Sequence, residues 1–79
     1  MALTLKIVSP EKVVFEGEVT SVIVPGTSGQ FEILENHAPI ISSLEEGEIT
    51  YMTETRNTQQ IRGGFISVQK NRVNACVEI

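Results

Sequence analysis

Apolar and polar residues alternate along most of this chain, and this two-residue period constrains the fold more than any other feature. In the C-terminal run, Val73, Ala75, Val77 and Ile79 fall on one face, and the residues between them on the other. A period of two is typical of a strand with one buried and one solvated face. The same pattern predicts strands at residues 3–7, 22–24, 31–34, 49–52 and 65–68.

Turn-forming residues interrupt these runs at short intervals. Pro10 ends the first run because proline cannot donate to a strand ladder, and Pro39 precedes a short run at residues 40–44. No apolar stripe of period 3.6 is long enough for a stable helix. The pattern therefore favours a single all-β domain over residues 1–79, either an antiparallel sandwich or a barrel. We further predict a short strand at residues 13–15 ended by Gly17, a hairpin turn at Arg56-Asn57, a bulge at Gly63-Gly64 and a turn at Lys70-Asn71.

Charge and composition narrow the class of partner. Ten acidic and six basic residues give a net charge of -4, and the basic residues form no cluster. This balance opposes binding to nucleic acid or to anionic lipid, so we expect protein partners. The N-terminus lacks the pattern of a signal peptide, and no apolar run is long enough to insert into a membrane. We therefore expect a soluble cytoplasmic protein.

His37 is the first candidate for chemistry, since it is the only histidine and lies near Glu32 and Glu35. An imidazole beside a carboxylate can act as a general base. However, the serines show no Gly-x-Ser-x-Gly nucleophile motif, which a hydrolase of that type would need. We favour a turn histidine that hydrogen-bonds the backbone, and we predict no catalytic residue.

Neither Cys76 nor the glycine pair Gly26 and Gly29 predicts a ligand site. A single cysteine forms no internal disulfide and supplies no metal-ligand spacing, so we interpret Cys76 as a small packing residue. The glycine pair lacks the Lys-Ser or Lys-Thr ending and the helix of a phosphate loop, and is more typical of a tight strand connection. We predict no metal and no cofactor.

Ile23 leaves two interpretations open. If Val22 and Val24 face the core, Ile23 points outward, and it could join Leu34 and Phe65 in an exposed apolar cluster that binds a partner. Alternatively, the loops of a flattened sandwich could shield these side chains.

Several short motifs follow one another along the chain. They are Ile7-Val8-Ser9-Pro10-Glu11, Phe15-x-Gly17, Val22-x-Val24-Pro25-Gly26, Gly29-x-Phe31-x-Ile33-Leu34, His37-Ala38-Pro39, Leu44-x-x-Gly47 and Gly63-Gly64-Phe65. Each motif is weak alone, but their order and spacing together are specific. They resemble the N-terminal β-domain of the epsilon subunit of F-type ATP synthases, called delta in mitochondria. The resemblance covers nearly the whole chain, from residue 3 to about residue 78.

The resemblance implies a flattened antiparallel β-sandwich of roughly ten short strands. It also implies a non-catalytic rotor subunit of the central stalk, peripheral to the cytoplasmic face of the bacterial inner membrane. In the family this domain binds the gamma subunit and the polar loops of the c-ring, and so couples ion translocation to ATP synthesis and hydrolysis in the catalytic head. The implied gamma contacts are Ser9, His37, Ser42, Arg62 and Ser67, to which we add Ile23, and the implied c-ring contacts are Gln30 and Glu32.

The chain departs from the family pattern in three places. Relatives often carry glutamate where this chain has Gln30, and a small residue where it has Arg62. Family members also usually continue into two C-terminal helices that bind ATP or block rotation, whereas this sequence ends at Ile79. Either the gene is naturally short or the helices have been removed, and for the sequence as it stands we expect coupling without helix-mediated inhibition. A free-standing β-sandwich module that binds a ligand or peptide remains the alternative function, and an enzyme ranks third.

Overall fold

The computed structural model describes residues 3–79, and within them every regular element is a β-strand. This confirms the predicted all-β class, with nine strands where roughly ten were expected. No helix in the described residues is long and apolar enough to cross a membrane. The strands are β1 (Leu3–Val8), β2 (Val13–Val19), β3 (Ser21–Gly26), β4 (Gly29–Ile33), β5 (Ile40–Leu44), β6 (Gly47–Met52), β7 (Arg56–Ile61), β8 (Gly63–Gln69) and β9 (Arg72–Glu78).

The strands form two layers that meet at one bridge. The nine strands belong to one continuous hydrogen-bonded sheet, which curls into a part with the order β2-β1-β9-β8-β5 and a part with the order β4-β3-β6-β7. They join where Gly26 of β3 pairs with Leu44 of β5. We call them the five-stranded and the four-stranded sheet. The pairing of β1 with β9 is parallel, unlike the antiparallel pairing predicted throughout. A parallel pair cannot be closed by a tight hairpin, and here the whole chain connects the two strands.

A single apolar core lies between the layers. Alternation places the odd-numbered residues of β1 and β9 inward, as predicted, although the terminal Ile79 is 53% exposed. Burial of these side chains is the main favourable term in folding. Both sheets contribute to the core, which comprises Leu3, Leu5, Ile7, Val19, Leu44, Ile66, Val68, Val73, Ala75 and Val77 from the five-stranded sheet and Val22, Val24, Ile33, Ile49 and Ile61 from the four-stranded sheet.

Two predicted boundaries are wrong. β2 does not end at Gly17 but continues to Val19, because Gly17 faces Leu5 in the ladder and the ring of Phe15 packs over it. The β6–β7 hairpin turns at residues 53–55, since Met52 already pairs with Arg56. The Asn57 side chain stabilises that turn by donating to Thr53 Oγ1 at 3.1 Å and to the carbonyl oxygen of residue 55 at 3.0 Å.

The division between core and surface predicts opposite outcomes for two isoleucines on paired strands. Ile66 is 1% exposed, so Ile66→Ala should lower the free energy of unfolding by about 2–5 kcal/mol. Ile41 is 81% exposed, so Ile41→Ala should change it by less than about 0.5 kcal/mol. Urea denaturation followed by circular dichroism measures both values. Equal losses from the two variants would contradict this assignment of the core.

Candidate protein-docking surface

The outer face of the five-stranded sheet carries exposed apolar side chains at neighbouring positions. Phe65 pairs with Cys76 across β8 and β9, and Cys76 pairs with Val8 across β9 and β1. Ile41 lies diagonal to Phe65 across β5 and β8, within reach of a long side chain. We call these four residues, Val8, Ile41, Phe65 and Cys76, the apolar strip.

Most of the strip is open to solvent, although Val8 is half-buried. Ile41 is 81% exposed and Phe65 is 63% exposed. By contrast, Ile66, which follows Phe65 in β8, points into the core. Contiguous exposed apolar surface on a soluble domain typically marks a site of protein association. The strip is therefore the best candidate for a docking surface.

A groove of about 610 Å³ lies along one end of the strip. Val8, Phe65 and Cys76 line it from the strip, and Pro10 and Leu44 line it from neighbouring segments. Among the described residues that line the groove, Glu78 is the only one with an acidic or basic side chain. A lining of this kind accepts apolar side chains better than charged ones.

Ser43, near one end of the strip, is hydrogen-bonded to the turn between β3 and β4. The amide of Thr27 donates to the Ser43 carbonyl oxygen at 3.1 Å, and the two hydroxyls lie 2.9 Å apart. The amide of Glu45 donates to the Pro25 carbonyl oxygen at 2.9 Å. These hydrogen bonds join the two sheets at the end where Gly29 begins β4.

The structure separates the predicted gamma contacts. Ser67 lies on the outer face beside the strip, where it pairs with Ile41, and Ser9 lines the groove. Ser42 lies on the opposite side of β5 from Ile41 and is half-buried, with its hydroxyl donating to the Ser43 carbonyl oxygen at 3.0 Å. Arg62 is exposed between β7 and β8, where its amide donates to the carbonyl oxygen of residue 78.

Ile23 lies on the other outer face of the molecule. It is half-buried, pairs with Glu32 across β3 and β4, and shares a shallow groove with Gln30 and Pro25. Phe65 belongs to the five-stranded sheet, so the interpretation in which Ile23 and Phe65 form one exposed cluster is wrong. The structure instead brings Ile23 together with the two predicted c-ring contacts.

The turn that carries His37 supports a structural interpretation of this residue. His37 Nδ1 lies 2.7 Å from the Ala38 carbonyl oxygen, and the His37 amide donates to the Leu34 carbonyl oxygen at 3.1 Å. Glu32, which lies near His37 in the sequence, pairs with Ile23 in the four-stranded sheet. The predicted hydrogen bond between this imidazole and the backbone is present. Among residues 3–79, no three histidine, cysteine or acidic side chains are grouped so that they could hold a metal ion.

The sequence alone does not predict that two residues, Cys76 and Ile41, belong to the strip. Alternation places Cys76 on the face opposite the apolar residues of its run, and the structure shows it exposed beside Phe65 and not acting as the predicted packing residue. Alternation does not predict which side of the sheet Ile41 occupies, because the run at residues 40–44 has apolar residues at both odd and even positions. Strand register resolves it, since Ser42 pairs with the buried Ile66 and Ile41 must therefore point outward.

The fold and this surface define a class of protein, a small two-layer β-sandwich with an exposed face suited to docking another protein. The chain belongs to the family of the ATP synthase delta/epsilon chain β-sandwich domain, whose model matches residues 2–79. This confirms the family that the sequence motifs resemble.

Individual relatives agree with the family assignment. The chain is 44% identical over 73 residues to the ATP synthase epsilon chain of Chlorobaculum tepidum, covering 90% of this chain and 83% of the relative. It is 40% identical over 79 residues to the ATP synthase epsilon chain of Synechocystis, covering 98% of this chain and 57% of the relative. The chain thus spans little more than half the length of some relatives.

Solved structures share the fold at low sequence identity. A chain in the cryo-EM structure of the Euglena gracilis mitochondrial ATP synthase, comprising OSCP, F1 and c-ring, matches with a TM-score of 0.90 at 18% identity, covering 96% of this chain and 50% of that one. A chain in the central stalk and c-ring structure of the Tetrahymena thermophila mitochondrial ATP synthase matches with a TM-score of 0.85 at 11% identity, covering 100% and 65% respectively.

Proposed function

We propose that this chain is a non-catalytic part of the central stalk of an F-type ATP synthase, where it binds the gamma subunit and the c-ring. In this role it couples ion translocation through the c-ring to ATP synthesis and hydrolysis in the catalytic head. The proposal places it at the cytoplasmic face of the bacterial inner membrane. One observation carries the proposal: a member of this family exposes an apolar strip on the outer face of a well-packed sandwich.

The gamma subunit is the proposed occupant of the strip. Ile41 and Phe65 offer apolar area at the centre, and Ser9 and Ser67 offer hydroxyls at its margins. An apolar centre with a polar rim is the usual anatomy of a protein interface. His37 lies just before β5 and extends the proposed contact to the other end of that strand. Arg62 keeps its predicted gamma-facing role as a flanking position, whereas Ser42 lies on the opposite side of β5 from Ile41, so we do not place it in the contact with the strip.

The c-ring is the proposed partner of the other face. Gln30 and Glu32 lie on the outer side of β4, and Ile23 lies across from Glu32. A rigid partner that covers the strip cannot also cover Ile23 without wrapping around the sandwich, so we assign Ile23 to the c-ring side. The hydrogen bonds between Thr27 and Ser43 then connect the proposed gamma site to the proposed c-ring site.

Protection of the Cys76 thiol tests this proposal. Because Cys76 is exposed in the groove, N-ethylmaleimide should alkylate it readily in the free chain. Addition of the gamma subunit should slow alkylation at least about tenfold, because an interface core excludes solvent. Mass spectrometry of timed samples gives the two rates.

The matched control is Thr58→Cys in a Cys76→Ser background. Thr58 is exposed on β7 of the four-stranded sheet, so its replacement thiol should be alkylated at the same rate with and without gamma. Unchanged alkylation of Cys76 in a chain that binds gamma would contradict the assignment of gamma to the strip.

The groove also supports the alternative of a free-standing module that binds a ligand or peptide. Its volume of about 610 Å³ falls within the usual range for small-molecule pockets, about 300–1,000 Å³. Phe65 is its single aromatic residue among those that line it, whereas such pockets are commonly rich in aromatic side chains. A ligand that raises the melting temperature of a chain unable to bind gamma would favour this alternative.

A further inference from the structure

We infer that Asn71 is a positioning residue that holds the His37 turn in the geometry required for docking gamma; this inference rests on the proposed function. The Asn36 amide donates to Asn71 Oδ1 at 2.6 Å, and Asn71 Nδ2 donates to Asn36 Oδ1 at 3.4 Å. The two residues lie 35 positions apart in the chain. We call this reciprocal pair the asparagine clamp.

Asn71 is itself firmly placed. It occupies the turn between β8 and β9 with φ of 62°, and Lys70 before it has φ of 51°. Two successive left-handed residues form the type I′ turn that matches the twist of a hairpin, and asparagine adopts this region more readily than most residues. The Asn71 carbonyl oxygen also accepts the Thr4 amide at 2.9 Å. The side chain therefore projects from a backbone tied to both β8–β9 and β1.

Asn36 is the member of the pair that needs support. It lies in the connection between β4 and β5 with φ of 67°, a left-handed conformation that asparagine adopts more readily than most residues but that is still uncommon outside glycine. The hydrogen bond that the Asn36 amide donates to Asn71 holds that conformation from outside the loop. His37 follows immediately, and β5 with Ile41 begins three residues later. Release of the clamp would thus free His37 and the entry into the strand that carries the exposed end of the strip.

Asn71→Gly removes the clamp and keeps the turn, because glycine adopts a left-handed φ without strain. Affinity for the gamma subunit should fall about fivefold, the factor equivalent to a net hydrogen-bond contribution of about 1 kcal/mol. Amide hydrogen exchange at Asn36 and His37 should accelerate by at least the same factor, while the melting temperature should fall by no more than about 4–8 °C, the shift that a loss of about 1 kcal/mol produces in a domain of this size. Isothermal titration calorimetry and hydrogen exchange followed by NMR measure these quantities on the full chain.

Two variants separate positioning from general turn effects. Lys70→Gly introduces the same glycine in the same turn and leaves the clamp in place, so it should bind gamma and exchange as the parent does. Asn71→Asp keeps an oxygen that accepts the Asn36 amide, so it should restore both affinity and protection.

Three results would overturn the inference. These are full gamma affinity in Asn71→Gly despite faster exchange, an equal loss in Lys70→Gly, and failure of Asn71→Asp to restore binding. Failure of the parent chain itself to bind gamma would contradict the proposed function instead, and the exchange rates would still decide whether Asn71 orders the turn.

Discussion

Ile41→Glu should weaken binding to the gamma subunit by at least about thirtyfold, the effect of losing an interface anchor worth about 2 kcal/mol. The glutamate would bring a charge to the apolar centre of the proposed interface, where it would be desolvated without a partner. Because Ile41 is 81% exposed in the free chain, the substitution should leave the free energy of unfolding almost unchanged. Isothermal titration calorimetry gives the affinity, and urea denaturation checks the fold.

The same substitution on the opposite face is the matched comparison. Ile23→Glu places its charge beside Gln30 on the four-stranded sheet, and we expect it to spare gamma affinity in protein shown to be folded. The sequence alone adds Ile23 to the gamma contacts, because its side chain is apolar and points outward. Loss of gamma binding in Ile23→Glu with retention in Ile41→Glu would therefore reverse our assignment of the two faces.

Gly64→Ala should destabilise the fold strongly. Gly64 has φ of 149°, a conformation that residues with a side chain rarely adopt. A Cβ atom there would also overlap the Cys76 carbonyl oxygen and lie 2.8 Å from the Val77 Cα. Backbone strain and displacement of β9 should together cost more than about 3 kcal/mol. Loss of that much would leave a domain of this size close to unfolding, since small domains are marginally stable.

The adjacent glycine provides the control. A Cβ atom at Gly63 would approach only the Leu44 carbonyl oxygen, at 3.4 Å, which is ordinary van der Waals contact. Gly63→Ala should therefore lower the free energy of unfolding by less than about 1 kcal/mol. Urea denaturation of the two variants makes the comparison, and an equal effect would show that neither φ nor contact with β9 governs this position.

Strand alternation is the part of the fold that sequence predicts well. The inward residues of β1 and β9 follow from the period of two, because a residue on the wrong face would expose its apolar side chain. The turn at Lys70-Asn71 follows from local turn chemistry. Each of these predictions depends only on neighbouring residues.

Features that depend on distant pairing were not predictable in this way. The parallel contact of β1 with β9 joins the two ends of the described chain, and no local pattern encodes it. β2 continues past Gly17 because the ladder to β1 and the ring of Phe15 support it there, which overrides the weak strand preference of glycine.

The candidate surface shows the same limit. Phe65 could be assigned outward from alternation, but its neighbours Cys76 and Val8 come from other strands and are revealed only by register. The placement of Ile23 away from Phe65 likewise depends on which sheet each strand joins. The asparagine clamp links residues 35 apart, so neither asparagine indicates it alone.

Direct titration of the gamma subunit from the same organism with this chain tests the central claim, that the apolar strip docks the stalk. We predict a one-to-one complex with a negative heat-capacity change, the mark of buried apolar surface, and loss of both in Ile41→Glu. Absence of binding by a chain that circular dichroism shows to be folded, or binding that Ile41→Glu leaves intact, would contradict the account.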